Sequence, residues 1–257
     1  MTKGRFLHSR KNGYPIFSLI IPAYNEEKYL PKLLDSVEVA CSNYKGGADA
    51  IEIIVVDNDS SDNTSEMARE RKCRVTIESR RIIAAVRNTG ARLSSGKVLA
   101  FVDADSIIHP ETFNAIDDCI GSGKVVAGAT GVKMERMSVG IAAAYIIMVP
   151  MVWLTGMDTG VVFCLKDDFQ KIGGYNEERL FAEDVNFLWD MKKLGRLSGR
   201  KLTRITSVKA ICSTRKFDEH GDWHYAKMLM RFSFMILFSR NSIRKFAEKY
   251  WYGKQRR

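Results

Sequence analysis

Lys97-Val98-Leu99-Ala100-Phe101-Val102-Asp103-Ala104-Asp105 is the stretch whose reading decides the fold. The run from Lys97 to Val102 has the length and apolar character of a buried strand in a parallel sheet. It closes on Asp103-Ala104-Asp105. In extended backbone, residues i and i+2 point the same way. Two carboxylates then face one spot at the carboxyl end of a strand, where open α/β sheets bind ligands. Paired carboxylates there suit a hard divalent cation, Mg²⁺ or Mn²⁺, which in turn holds a diphosphate. Asp-x-Asp alone is common in turns, so the triplet takes its meaning from what surrounds it.

Upstream, the chain alternates strand and helix. Residues 16–21 are a short apolar run ended by Pro22, and residues 26–40 carry Leu30, Leu33, Leu34 and Val37 at helical spacing. A second run, 51–56, ends at Asp57. Residues 58–64 have turn and helix-capping chemistry and lead into a helix through Arg71. A strand over 74–78, a helix over 82–93 stopped by Ser94-Ser95-Gly96, and a helix opened by His109-Pro110-Glu111 complete the pattern. Such alternation implies a mostly parallel sheet with right-handed crossovers. It gathers Tyr24-Asn25-Glu26, Asp57-Asn58-Asp59 and Asp103-Ala104-Asp105 on one rim.

Downstream the pattern is less regular. Strands are expected over 125–133 and 161–165. A helix is expected over 183–194, with Val185, Leu188, Trp189 and Met191 inward and Gly195 as its stop. Residues 139–157 are uncharged and strongly apolar, and 223–251 read as a long helix. The expected organisation is one domain over 1–222, with a nucleotide-binding half 15–106 and an acceptor half 107–222. A basic amphipathic helix, 223–257, is appended to it.

Composition narrows the classes. With 257 residues, 46% hydrophobic and 27% charged, the chain is globular. Its five cysteines include no Cys-x-x-Cys pair, which points away from zinc and from a disulfide framework and toward a reducing cytosol. Residues 1–15 hold no apolar core of a signal peptide. A net charge of +10 suits nucleic acid, an anionic membrane surface or a phosphorylated substrate. No nucleic-acid-binding signature is present, so no nucleic-acid partner is expected.

Six motifs in order carry a resemblance: Pro22-Ala23-Tyr24-Asn25-Glu26-Glu27, Val55-Val56-Asp57-Asn58-Asp59-Ser60-Ser61-Asp62, Arg87-Asn88-Thr89-Gly90, Asp103-Ala104-Asp105, Gly173-Gly174-Tyr175 and Glu183-Asp184. Over roughly residues 15–215 the chain resembles glycosyltransferase family 2, inverting enzymes of the GT-A fold. The resemblance implies an α/β fold with a mostly parallel central sheet flanked by helices, here followed by the apolar and basic C-terminal helix. It implies a nucleotide-diphosphate sugar donor and a divalent metal. Pro22, Ala23 and Tyr24 then line the base pocket, while Glu26 and Asp57 accept hydrogen bonds from base or ribose. Asn58 stands where the family often has a second Asp. Arg87 and Asn88 face the nucleotide or its diphosphate, and Gly90 allows close packing. Asp103 and Ala104 meet the ribose, with Asp103 also near the metal, and Asp105 is the metal ligand. Asp184 is the catalytic base beside Glu183.

Plainer readings stand next to these. Glu26, Asp62 and Glu183 also suit helix capping, and Arg80-Arg81 suits solvent. Arg215 or Lys216, in a polar island after Ser213, could close over the diphosphate. Basic and aromatic residues beyond the apolar run 228–238 suit an anionic bilayer interface, which implies a cytoplasmic protein held on the inner membrane face. The acceptor implied is a glycan or a lipid-linked molecule. A polyprenyl-phosphate glycosyltransferase and a non-catalytic nucleotide-sugar-binding protein are the alternatives. A Rossmann dehydrogenase is disfavoured, because no Gly-x-Gly-x-x-Gly follows the first strand.

Overall fold

Every apolar run of the first half becomes a strand. These are β1 (Phe17–Ala23), β2 (Ile51–Asp57), β3 (Arg74–Ile77) and β4 (Val98–Phe101). The second half adds β5 (Ser106–Ile107), β6 (Val125–Met134), β7 (Val162–Leu165) and β8 (Lys201–Cys212). The computed structural model describes residues 15–146, 158–179 and 183–223. Within them the strands join one sheet in the order β3-β2-β1-β4-β7-β6-β8-β5. β1 pairs in parallel with β2 and β4, and β2 with β3. The expectation of a mostly parallel sheet holds for this half. Beyond it the sheet is mixed: β7 runs antiparallel to both β4 and β6, β6 pairs in parallel with β8, and β5 is antiparallel to β8.

Helices cover both faces. α1 (Leu30–Asn43), α2 (Thr64–Glu70) and α4 (Thr112–Gly121) lie in chain order with α3 (Ile83–Leu93) between the last two. Residues 139–146 are helical (α5), and α6 (Lys166–Lys171), α7 (Glu183–Leu197) and α8 (Arg215–His220) follow. β1 is buried on both sides, so its side chains divide between two cores. Phe17, Leu19 and Ile21 join Leu30, Leu33 and Val37 of α1. Ile20 joins Ile54, Val56 and Ala84 on the opposite face. Each such fully buried side chain contributes about 1.5–3 kcal/mol, which is why β1 holds the middle of the sheet half that carries the rim.

Two close approaches need glycine. A Cβ on Gly90 of α3 would lie 2.4 Å from Ile20 Cγ2 and 2.9 Å from Val56 Cγ2. One on Gly195 of α7 would lie 2.6 Å from the Arg200 carbonyl oxygen and 2.8 Å from Val126 Cγ1. Gly195 therefore does not stop α7, which continues to Leu197; it lets the helix press on β6. The inner face of α7 is Phe187, Leu188 and Met191, whereas Trp189 is 41% exposed.

Other boundaries move for local reasons. α1 starts at Leu30, with a proline in its first turn, rather than at residue 26. Residues 26–29 form a turn in which the Glu26 carbonyl accepts from the N–H groups of Tyr29 (3.0 Å) and Leu30 (2.8 Å). β4 ends at Phe101, so Asp103-Ala104-Asp105 is not extended: it lies in a turn closed by the Ser106 N–H on the Asp103 carbonyl at 3.1 Å. Of the apolar stretch 139–157, the part beyond 146 lies outside the described residues, as does the tail after Trp223. Among the described residues no helix is long and apolar enough to cross a membrane.

Candidate active site

The sheet order places β1 between β2 and β4, with their carboxyl ends on one rim, the usual crevice of an open α/β sheet. β4 parts from β1 after the Ile20–Phe101 pair. Pro22, which has no N–H to give, therefore sits where no β4 partner remains, and the crevice opens there. Loops from β1 and β2 are laced together. The Asn25 N–H donates to Ser60 Oγ (2.9 Å), the Ser61 N–H to Asn25 Oδ1 (2.8 Å), and the Glu26 N–H to Thr64 Oγ1 (2.8 Å). Asn25 and Asp59 adopt left-handed backbone at φ 54° and 61°, a conformation Asn and Asp tolerate better than most residues. Asp62 sits one residue ahead of the N-cap, Asn63, and ties the two loops: its carboxylate accepts from the N–H groups of Thr64 and Glu27.

On this frame Asp57 closes β2, buried, accepting from Ser65 Oγ (2.5 Å) and the Ser60 N–H (3.1 Å). Tyr24 lies beside it on the rim, and the Arg81 guanidinium stacks 3.8 Å from its ring centroid while donating to the Asp59 carbonyl at 3.0 Å. Arg81 thus packs on the rim tyrosine rather than standing free in solvent. Tyr24 and Arg81 are far apart in sequence, and no local pattern signals their contact. Arg80 belongs to a structural network with Glu78 and Glu177. Its hydrogen bonds hold the Glu78 carboxyl down at about 2. The Asn58 amide is turned to the backbone: it donates to the carbonyls of Glu78 and Arg80.

Two guanidinium groups organise the carboxylates. Arg215, at the start of α8, donates from Nη1 and Nη2 to both oxygens of the buried Glu26, each at 2.7 Å. Its Nε lies 3.1 Å from Asp105 Oδ2, and Tyr29 stacks against it at 4.8 Å. Burial raises the Glu26 carboxyl above its ordinary value, and Arg215 opposes that rise. Arg136 fastens the other end of α8 through Asp218 and Asp222.

Arg87 is buried in α3. Nη1 donates to Glu183 Oε1 (2.8 Å) and Asp184 Oδ1 (2.5 Å), and Nη2 donates to Asp103 Oδ1 (2.9 Å). Burial pushes the Asp184 carboxyl up to about 7; Arg87 opposes this, while Glu183 and Asp103 add to it. Such a value suits a base working near neutral pH. The neighbouring Asn88 holds the turn before α7. Its Nδ2 donates to the Tyr175 carbonyl and Glu177 Oε1, both at 2.9 Å, and its Oδ1 accepts from the Tyr175 N–H at 2.9 Å. Arg87 and Asn88 are thus both engaged by protein groups, Arg87 reaching Asp103 of the rim turn and Asn88 the turn at 175–177. Tyr175 itself stacks on Phe187 with centroids 4.4 Å apart.

The turn Asp103-Ala104-Asp105 offers hard oxygen donors, with Asp103 57% exposed at its side chain and Asp105 20%. No group of three or more His, Cys, Asp or Glu able to hold a metal gathers among the described residues. This donor set fits a divalent cation that takes one or two carboxylates and fills its shell with phosphate oxygens and water, the usual habit of Mg²⁺.

Residues 18–136 match the family described as glycosyl transferase family 2. Glycosyltransferase AglE of Haloferax volcanii is 37% identical over 103 residues, 38% of this chain and 33% of that protein. The undecaprenyl-phosphate 4-deoxy-4-formamido-L-arabinose transferase of Proteus mirabilis is 35% identical over 88 residues, 34% of this chain and 25% of that protein. The chain thus spans about a third or less of the length of these curated relatives. Among solved structures, TarS 1-349 of Staphylococcus aureus is similar with a TM-score of 0.59 at 21% identity, over 76% of this chain and 60% of that one. The mannosyltransferase PcManGT of Pyrobaculum calidifontis, in complex with GDP-Man and Mn²⁺, gives 0.59 at 18% identity, over 77% and 56%. These likenesses show the GT-A fold. The matched span holds the ends of β1, β2 and β4 together with α3, and over that span the chain is similar to glycosyltransferase family 2.

Proposed function

We propose that the protein is an inverting glycosyltransferase that moves a sugar from a nucleoside-diphosphate sugar to a hydroxyl acceptor. The observation that carries this reading is Asp184. It is a carboxyl raised toward neutrality, held by the same guanidinium as Asp103 of the rim turn. Pro22, Ala23, Tyr24 and Asp57 receive the base and ribose, and Asp103 and Ala104 border the ribose. Asp105, with Asp103, would hold a divalent metal, which when bound supplies positive charge against that developing on the departing diphosphate. Arg215 stands beside Asp105, in reach of the same phosphates. Asp184 takes the proton of the acceptor hydroxyl as its oxygen attacks the anomeric carbon on the face opposite the leaving group, and the configuration inverts. Asn58, Asn88 and Glu183 shape this site from behind.

A lipid-linked or membrane-proximal acceptor fits the chain best. The relative from Proteus mirabilis is named for undecaprenyl phosphate, and the sequence beyond 223 is apolar and then basic. That relative also favours a second reading, in which the acceptor is a polyprenyl phosphate whose ionised oxygen attacks without a base. In either case residues 1–222 are the catalytic unit and 223–257 the membrane-surface element on the inner face. The test is thermal stabilisation by a panel of UDP- and GDP-sugars with and without Mn²⁺. One sugar nucleotide should stabilise the protein only with metal, and Asp105→Ala should remove that effect while the protein stays folded. Equal stabilisation in the presence of a chelator would contradict the metal assignment.

A further inference from the structure

We propose that Arg87 is a positioning residue for the reaction, aiming Asp184 at the donor by bridging the start of α7 to the Asp103 turn; this rests on Asp184 being the base. α3 is a rigid platform for that task. Gly90 presses it onto Ile20 and Val56, and Asn88 clamps it to residues 175–177. Next to these anchors the Arg87 side chain is 5% exposed and reaches two elements. One face of the guanidinium fork holds Asp103, 16 residues along the chain. The other holds Glu183 and Asp184, 96 and 97 residues along.

The fully buried packing of α7 on the sheet runs through Phe187, Leu188 and Met191, beginning three residues beyond Asp184, with Val185 only partly buried against it. Those contacts set where the helix lies, and the Arg87 bridge sets where its first carboxylates point. One cation serves three carboxylates, so the contacts are coupled. Only a planar fork can serve both sides at once; a lysine ammonium keeps the charge but acts as a point.

Turnover, read as nucleoside diphosphate released from the stabilising sugar nucleotide, is measured for wild type, Arg87→Lys, Asp184→Asn and the double variant. Binding of UDP or GDP with Mn²⁺ is followed by calorimetry. Arg87→Lys should lower kcat by about 10²-fold, the effect of a misplacement on the order of 1 Å. The donor KM should stay within a few-fold and nucleoside diphosphate binding should be unchanged. In the Asp184→Asn background the same substitution should have almost no further effect, because the group it aims is already disabled. A purely structural role would lower turnover by the same factor in both backgrounds, and that result overturns the inference. So does wild-type kcat in Arg87→Lys beside a crippled Asp184→Asn, whereas wild-type turnover in Asp184→Asn overturns the base assignment itself. If Arg87→Lys does not fold, Arg87→Gln carries the same cycle.

Discussion

Removing Arg215 should destabilise the protein in a way that acid relieves. Arg215 gives both Nη atoms to Glu26 at 2.7 Å. The Glu26 side chain is 10% exposed and that of Arg215 25%. Breaking a fully buried pair by deleting one partner costs about 3–5 kcal/mol, and an exposed pair contributes about 0–1 kcal/mol. Intermediate exposure places Arg215→Ala at about 2 kcal/mol. The pH dependence follows from Glu26. Burial already raises its carboxyl above the ordinary 4.5, and Arg215 holds that rise in check. A carboxyl raised in the folded state binds more protons there than in the unfolded chain, so stability falls as pH climbs from the ordinary value through the folded one. Without Arg215 the folded value rises further and the fall is larger. The gap between wild type and Arg215→Ala should therefore be widest at neutral pH and shrink as pH drops toward the ordinary carboxyl range. Urea denaturation at about pH 7 and about pH 5 reads it directly. The Glu26→Gln background should remove most of the effect. A gap independent of pH, or one undiminished by Glu26→Gln, would refute the reasoning.

Two further outcomes are expected. Gly90→Ala places a methyl 2.4 Å from Ile20 Cγ2. Overpacking of about 1–3 kcal/mol should outweigh a helix-propensity gain of about 1 kcal/mol, and an unchanged urea midpoint would mean α3 stands off the sheet. Because burial raises Asp184 to about 7, kcat/KM should fall as pH drops below that value, where the base becomes protonated; a flat profile from about pH 5 to about pH 8 would contradict this.

The first half of the fold was legible because its strands are bounded apolar runs with a breaking or polar residue near the end, Pro22, Asp57 and Asp103, although β1 runs through Pro22 to Ala23 and β4 stops at Phe101. The rim followed from strand order, which alternation with helices dictates. Less was legible where tertiary contact overrides local pattern. Asp103-Ala104-Asp105 read as extended but folds as a turn, since β4 loses its β1 partner after Phe101. β8 escaped notice because much of it is only half-buried and polar side chains interrupt its pattern, although Val208 and Ala210 alternate inward. Gly195 read as a helix stop because a close approach to Val126 leaves no trace in neighbouring residues. Glu26 and Asp184 were legible as residues. Their guanidinium partners are Arg215, 189 residues away, and Arg87, 97 residues away. No local spacing encodes such pairs.

The most direct test of the account is Asp184→Asn, assayed for both turnover and donor binding. The substitution keeps the shape of the side chain and removes its basicity. Turnover should fall by about 10²–10⁴-fold, the usual contribution of a general base. Metal-dependent binding of the sugar nucleotide should stay near wild type, because the proposed donor site is the rim of β1, β2 and β4, apart from Asp184. Near-normal turnover would contradict a hydroxyl acceptor activated by Asp184 and favour an acceptor phosphate that needs no base. Loss of donor binding together with turnover would place Asp184 in the nucleotide site instead.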